Sequence, residues 1–354
     1  MKDRKIRLGV VGLGYIATQV HLPLLLKMPE VQVVALCDQE QQRLKSVCHS
    51  SRINNAYTDL AQMLQTQKLD VVDICTPPNT HKALCLEALD AGVNVIIEKP
   101  LTTSVADADS MISAAREKRL ALHILHNQSY LPIYLKAKKI LHSGEIGELL
   151  NVNVRMALPF EEAWLDPAHW THRIPGGPLG EVAPHAAMLF LEFLDTNSVD
   201  EVHAVAANAS GYPSLKADEL IITVKAGNRI GSCCVSNAPV DGMTIDIEGT
   251  KLRLFVDGAA QIVVKYSPIG GSTLARGGRV LSDMLQRSRS IISASANVAI
   301  GRYRPRSPLG QEYLFKESFK EITGQGVYPI SLEKVREEVR ILEIAFTQTG
   351  LLPE

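Results

Sequence analysis

Near its start the chain runs "IRLGVVGLGYIA" (Ile6–Ala17), an apolar stretch that breaks into Gly12-Leu-Gly14-Tyr-Ile-Ala17. A buried strand that turns sharply into a helix needs small residues in this order. Gly12 permits the tight turn, Gly14 lets the backbone approach a pyrophosphate, and Ala17 lets the helix pack close to the strand. The helix N-terminus then offers free N–H groups and the positive end of its dipole to the phosphates. Lys2, Arg4 and Lys5 ahead of the run imitate the start of an export signal, but three glycines interrupt the apolar centre. Because the pattern continues directly into further folded elements, the segment reads as part of a domain and the protein as cytoplasmic.

The next elements strengthen that reading. "VQVVALCD" (Val31–Asp38) is a second apolar run, closed by an acid about 20 residues beyond the glycines, where a carboxylate accepts hydrogen bonds from an adenosine ribose. An acid there repels a 2′-phosphate, so NAD is expected rather than NADP. The plainer reading is that Asp38 caps the helix that follows. The alternation continues with a helix in "YTDLAQMLQ" capped by Thr58 and a strand at Asp70–Cys75. The loop Thr76-Pro77-Pro78-Asn79-Thr80-His81 follows, then a helix to Gly92, a strand at Val93–Pro100, a helix and a strand at Ala121–Leu125. Strands and helices alternating at this spacing make an α/β fold with a doubly wound parallel sheet. Ligands of such sheets lie beyond the carboxyl ends of the strands. Asp38, Thr76–His81, Glu98, Lys99, His126 and Asn127 all fall there.

With 354 residues the chain has room for two domains. A formal net charge of -1 supplies no global field for nucleic acid or an anionic membrane. The six cysteines show no paired metal-finger spacing, and most lie in apolar patterns, as in reducing compartments. No apolar stretch is long enough to span a bilayer.

At "IIEKPLTTS" (Ile96–Ser104) the chain resembles the glucose-fructose oxidoreductase / inositol dehydrogenase family (Gfo/Idh/MocA). The glycine motif, "DICTPPNTH", Glu98-Lys99-Pro100, "HNQSYLPIYLKAKKILHSGEIGEL", "GGPLGEVAPHAAMLFLEFL" and "IEGTKLRLFVD" follow that family's order nearly end to end. The resemblance implies a Rossmann NAD(P)-binding domain over residues 1–125. A substrate-binding and oligomerisation α/β domain over 126–354 would contain a large, open, mostly antiparallel sheet, with closing helices in 311–350 packing back on the first domain. It also implies a homo-oligomer, a dimer or tetramer, and a small sugar-like substrate. Cofactor contacts are expected from Gly12, Gly14, Tyr15, Ile16, Ala17, Asp38, Thr76, Pro77, Asn79, His81, Glu98, Lys99 and Asn127.

Hydride transfer from a carbinol requires a group to take its proton and another to stabilise the developing oxyanion. Lys99 follows an apolar strand and precedes a proline, and it matches the family's catalytic lysine; the plainer reading is a surface lysine paired with Glu98. His185 matches the family's acid/base histidine. Where the family has an aspartate four residues earlier this chain has Glu181, and the two share a helical face if the helix begins early enough. Upstream, Trp164, His169, Trp170 and His172 supply aromatic faces and hydrogen-bonding rings for a sugar, or simply pack their loop. Read with Glu181 and His185, His169 and His172 also make a possible zinc set, although hydride transfer on a lysine needs no metal. The arginines of 267–310 (Arg276, Arg279, Arg287, Arg289, Arg302, Arg304, Arg306) form either a solvated excursion or an anion site for a phosphorylated or nucleotide-linked sugar.

The leading expectation is an NAD(P)-dependent oxidoreductase acting on a CH–OH group of a sugar, cyclitol or sugar derivative. Two alternatives remain at this point: a redox-assisted glycosidase that holds NAD tightly, and a non-catalytic dinucleotide sensor of the same fold.

Overall fold

The computed structural model describes residues 4–237, 242–268 and 308–353, with scattered helical positions between 277 and 295. The chain divides into two units: Met1–Asn127 with Gln311–Val339, and Gln128–Gly310 with Arg340–Glu354.

In the first unit each apolar run becomes a strand because helices cover both faces of its sheet. The strands are β1 (Ile6–Val11), β2 (Val31–Cys37), β3 (Ala56–Tyr57), β4 (Val71–Ile74), β5 (Asn94–Glu98) and β6 (Leu122–Leu125). They lie in the order β3-β2-β1-β4-β5-β6, and every pairing is parallel. This is the doubly wound arrangement expected from the alternation, with its order reversing between β1 and β4. β4 and β6 are buried at every residue, which explains why they read as continuous apolar runs rather than alternating ones.

Two local expectations need correction. The edge strand β3 left no apolar signal, since it is only two residues long and its Tyr57 merges with the following helical pattern. That helix, Leu60–Thr66, is capped by Asp59 and not Thr58. The Asp59 backbone is extended and its carboxylate accepts the Gln62 N–H at 3.0 Å. Asp38 caps no helix either: the cap of Gln41–Ser51 is Glu40, whose carboxylate accepts the Arg43 N–H.

The two closing segments of the first unit are tied to its sheet and helices. Tyr328 donates its hydroxyl to the Ile124 carbonyl at 2.8 Å and stacks on His123 with ring centroids 4.1 Å apart. Arg336 forms a two-pronged bond to Asp109, and Arg116 pairs with Glu333.

The second unit is built on a seven-stranded sheet. Its strands are β7 (Leu149–Ala157), β8 (Glu201–Ala207), β9 (Glu219–Ala226), β10 (Arg229–Ser236), β11 (Gly242–Gly249), β12 (Arg253–Asp257) and β13 (Ile262–Tyr266). The order is β13-β12-β11-β7-β10-β9-β8, antiparallel except for the β7–β10 pair. Strict alternation in β9, buried at every second residue, marks a sheet with one covered face. That inner face packs on the long helix Pro178–Leu194 through Val152, Val154, Leu220, Ile222, Val224 and Phe190. The opposite face leaves Val205, Ile221 and Ile230 exposed. Of the seven arginines between 276 and 306 only Arg289 is described, so the anion site considered there lies outside the described residues.

Gly12 is the backbone position on which the first turn depends. Its φ is +82°, and a Cβ would meet Thr76 Cγ2 at 2.6 Å and the Cys75 carbonyl carbon at 3.0 Å. Gly12→Ala is expected to lower the unfolding free energy by about 1–3 kcal/mol, the usual cost of a left-handed non-glycine residue, as measured by urea denaturation.

Candidate functional site

The first half of the site is the carboxyl edge of the parallel sheet. After β1 the chain turns at Gly12 and enters a helical segment through a π-helical turn, Ala17–His21, continued by a short α-helix, Leu22–Leu25. Pro23 lacks an N–H, and the π-turn accommodates that break in the hydrogen-bond ladder. Gly14 has no atom within 4 Å of where its Cβ would stand, so the backbone is open to close approach from outside. Ala17, by contrast, is wholly buried. Tyr15 is exposed. The cradle therefore has the pattern a pyrophosphate requires: one glycine for the turn, one for access and one small residue for packing.

Asp38 closes β2 and bridges the motif. Its Oδ2 accepts the Leu13 N–H at 2.7 Å and its Oδ1 accepts the Glu40 N–H at 2.8 Å. Arg43 also reaches Asp38 Oδ2, at 3.2 Å. The sequence placed an acid there but gave no reason to bring Arg43 onto it; one turn of helix does so.

The loop after β4 carries Thr76, Pro77 and Asn79. His81, expected as a cofactor contact, is fully buried. One ring nitrogen lies 2.7 Å from the Thr76 carbonyl and the other 3.0 Å from the Pro100 carbonyl. The ring is consumed in pinning the 76–81 loop to the segment after Lys99, and its assignment as a ligand contact is corrected accordingly. The Lys99–Pro100 bond is cis. Lys99 is 8% exposed, so it is not a surface lysine. Asn127 begins a short 3₁₀ turn, Asn127–Tyr130, directly after the last strand of the sheet.

Beneath this edge lies a network that the sequence did not disclose. His21, wholly buried, sits with Nδ1 2.9 Å from Asp73 Oδ2 and Nε2 2.9 Å from Glu98 Oε1. Cys75 Sγ is 3.1 Å from the same Nδ1. Burial alone would lower the proton affinity of the imidazole, but Asp73 and Cys75 outweigh it, and the ring is held well above its usual range. Glu98 in turn accepts the Lys99 N–H through Oε2 at 3.1 Å. An imidazolium between two carboxylates thus joins the first helical turn, β4 and β5, and fixes the residue that precedes Lys99. Burial pushes the Cys75 thiol up to about 12, so it remains a thiol.

The second half of the site lies on the helix α7 (Pro178–Leu194) of the other unit. Fifteen of its seventeen residues are buried; the two that are not are Glu181 and His185. Their spacing of four places them on one face, which settles the condition the sequence left open, because the helix starts at Pro178 and Pro184 lies in its interior. Gly180 permits the close packing at this end, since a Cβ would meet the Pro175 carbonyl oxygen at 2.0 Å.

In the loop upstream, the polar atoms are largely used within the loop itself. His172 Nε2 lies 2.8 Å from the Trp164 carbonyl, and His169 Nδ1 lies 3.0 Å from Thr171 Oγ1. Trp164 packs against Phe160 with ring centroids 5.8 Å apart, and Trp170 against His169 at 5.7 Å. The considered zinc set does not converge. Among the described residues, the group of three possible ligand atoms lying within 4.8 Å of one another is His21, Asp73 and Cys75.

Two family models match the chain in succession. An oxidoreductase family with an NAD-binding Rossmann fold, GFO/IDH/MocA, covers residues 6–126, and the C-terminal domain of the same family covers residues 134–255. A myo-inositol 2-dehydrogenase of Thermotoga maritima is 26% identical over 80% of this chain and 84% of its own length. Among solved structures, the WlbA dehydrogenase of Bordetella pertussis, in complex with NADH and UDP-GlcNAcA, superposes with a TM-score of 0.81. That match has 19% identity and covers 99% of this chain and 97% of the other. An oxidoreductase of Agrobacterium radiobacter, in complex with NAD+, L-tartaric acid and magnesium, gives a TM-score of 0.79 at 18% identity over 98% and 97% of the two chains.

The buried imidazolium has a pH signature. A base whose folded proton affinity is raised stabilises the fold fully below its unfolded pKa of about 6.5, and that stability is lost as pH rises through the folded value. His21→Asn is expected to cost about 3–5 kcal/mol at about pH 6, because two buried carboxylates lose their counter-charge. Urea unfolding of both proteins from about pH 6 to about pH 9 should show the difference shrinking as pH rises.

Proposed function

Because the chain belongs to the GFO/IDH/MocA family of oxidoreductases, we propose that it transfers a hydride between a nicotinamide dinucleotide and a carbinol or carbonyl carbon of a sugar, cyclitol or sugar derivative. The observation that carries this reading is chemical pairing. A buried lysine stands at the carboxyl edge of a dinucleotide-type sheet, and one helix of the second unit leaves only a carboxylate and an imidazole uncovered.

The residues present suit the dinucleotide. Gly12, Gly14 and Ala17 would hold the pyrophosphate, Asp38 the adenosine ribose, and Thr76, Pro77, Asn79, Glu98 and Asn127 belong to the turns that end the neighbouring strands. When bound, the nicotinamide supplies the hydride acceptor or donor. The Lys99 ammonium donates a hydrogen bond to the reacting oxygen and stabilises the charge that develops there. His185 takes the hydroxyl proton during oxidation and returns it during reduction, a task suited to imidazole. Glu181, one helical turn earlier, accepts a substrate hydroxyl hydrogen bond or orients the His185 ring, and its longer side chain compensates for the position of the shorter family residue. Trp164, His169, Trp170 and His172 form the adjoining sugar-binding loop.

Three finer points belong to the same proposal. NAD is favoured over NADP, since Asp38 repels a 2′-phosphate, although Arg43 beside it weakens that repulsion. The exposed Val205 and Ile221, paired across β8 and β9, support a homo-oligomer formed on the open sheet face. A cytoplasmic setting suits the six free cysteines.

Purified protein incubated with NAD and a panel of sugars, cyclitols and nucleotide sugars should produce reduced nicotinamide. Lys99→Met is expected to lower kcat by about 10²–10⁴ while NADH binding, read by fluorescence, is retained. Glycoside cleavage without net cofactor reduction would replace this reading with the glycosidase. NADH binding without turnover on the whole panel would favour the sensor. Titration should also show NADH binding more tightly than NADPH, and Asp38→Ser should narrow the gap by about tenfold, one charged hydrogen bond's worth.

A further inference from the structure

The last helix of the chain, α9 (Leu332–Gln348), brings a carboxylic acid into the interior of the first unit. Glu338 is 0% exposed, and neither of its oxygens has a hydrogen-bond partner among the described residues. Its nearest ionisable neighbour is His126, with Nε2 3.9 Å from Glu338 Oε2. That ring is 1% exposed, and both of its nitrogens also lack a hydrogen-bond partner among the described residues. His126 stands directly after β6, at the carboxyl edge where Lys99 follows β5. The Lys99 ammonium acts on both: it opposes the rise in proton affinity that burial gives Glu338, and it adds to burial in lowering His126 to about 3.

Such a pair is costly. An isolated buried carboxyl and a buried imidazole, each without a full complement of hydrogen bonds, are removed from structural interiors unless something is gained by keeping them. An alternative partner is absent on the helix itself. Arg336 is turned to Asp109, and no ion pair of Glu338 with any group other than His126 occurs among the described residues. The charged groups that face the carboxyl are therefore His126, from the turn after β6, and Lys99, from the end of β5.

We propose that Glu338 is a positioning residue for Lys99: a buried carboxyl, coupled to His126, that anchors the lysine and holds its positive charge while it addresses the reacting oxygen. The proposal rests on the role given to Lys99 above. It adds that the closing helix, and not only the dinucleotide motif, sets the charge state on which oxyanion stabilisation depends. Glu338 contributes no covalent step and does not touch substrate; its effect is electrostatic, through the ammonium.

The test uses the whole chain and a readout that needs no substrate. Wild type and Glu338→Gln are acylated with trace acetic anhydride at about pH 8, and the labelling rate of Lys99 relative to exposed lysines is read by mass spectrometry. Loss of a facing carboxylate makes the amine about tenfold more available, the effect of one unit of differential charge stabilisation. Glu338→Asp keeps the charge but retracts it, and gives a smaller increase. It also serves as the second variant should glutamine prevent folding, which circular dichroism and NADH fluorescence check. Glu338→Leu is expected to unfold at or above the wild-type temperature, because an apolar side chain replaces a poorly partnered acid.

Unchanged relative labelling of Lys99 in folded Glu338→Gln and Glu338→Asp would overturn the proposal. So would a fall in the unfolding temperature of Glu338→Leu with labelling unchanged, which is the signature of a purely structural residue. Failure of the wild type to turn over any substrate would count against the hydride-transfer reading. It would leave the labelling result intact, so the two failures are distinguishable.

Discussion

The buried imidazolium of His21, held between Asp73 and Glu98, is the interaction on which the candidate site depends. It lies under the carboxyl edge of the parallel sheet and joins three separate pieces of chain: the π-helical turn after the glycine motif, the strand β4 and the strand β5. Two carboxylates placed this close without a cation between them would repel each other in a medium that screens poorly. With the cation present, each has a partner, and the end of β5 is held where its next residue is Lys99. The cradle for the dinucleotide and the lysine for the chemistry are therefore set by one electrostatic knot.

The same economy recurs around it. His81 spends its ring on carbonyls of the 76–81 loop and of Pro100, fastening the far side of the Lys99 turn. Gly12 lies against Thr76 with no room for a Cβ, so the glycine turn and the loop after β4 are packed as one surface. Asp38 receives two backbone N–H groups and a guanidinium, which stiffens the end of β2. A site built for precise orientation is expected to rest on such locked supporting groups. In the second unit the equivalent rigidity comes from burial, since α7 is enclosed on all positions except Glu181 and His185.

How much of this could be read beforehand follows from the reach of each interaction along the chain. Strand runs, the glycine motif and the acid closing β2 are local, and the parallel sheet with its carboxyl-edge loops was legible from them. Glu181 and His185 were named from the sequence, but their common face depended on where the helix begins, which an internal proline obscured. The two-residue strand β3 and the Asp59 cap were missed because neither leaves a periodic signal. His21 could have been suspected only as a histidine inside an apolar helical pattern, whose usual meaning is a satisfied core residue. Its partners lie 52 and 77 positions away.

By itself, then, the sequence determined that this chain forms a dinucleotide-type sheet followed by a second, largely antiparallel one, because periodicity and turn chemistry act over a few residues. It also determined the membership of the candidate chemistry, since Lys99, Glu181 and His185 stand in recognisable local surroundings. Only the tertiary structure decided the charge environment. That Arg43 reaches Asp38, that His21 sits between two acids, and that Glu338 enters the interior beside His126 all depend on packing between segments far apart in sequence. Burial is what gives those charges their strength, and burial is a property of the folded assembly of elements rather than of any one of them.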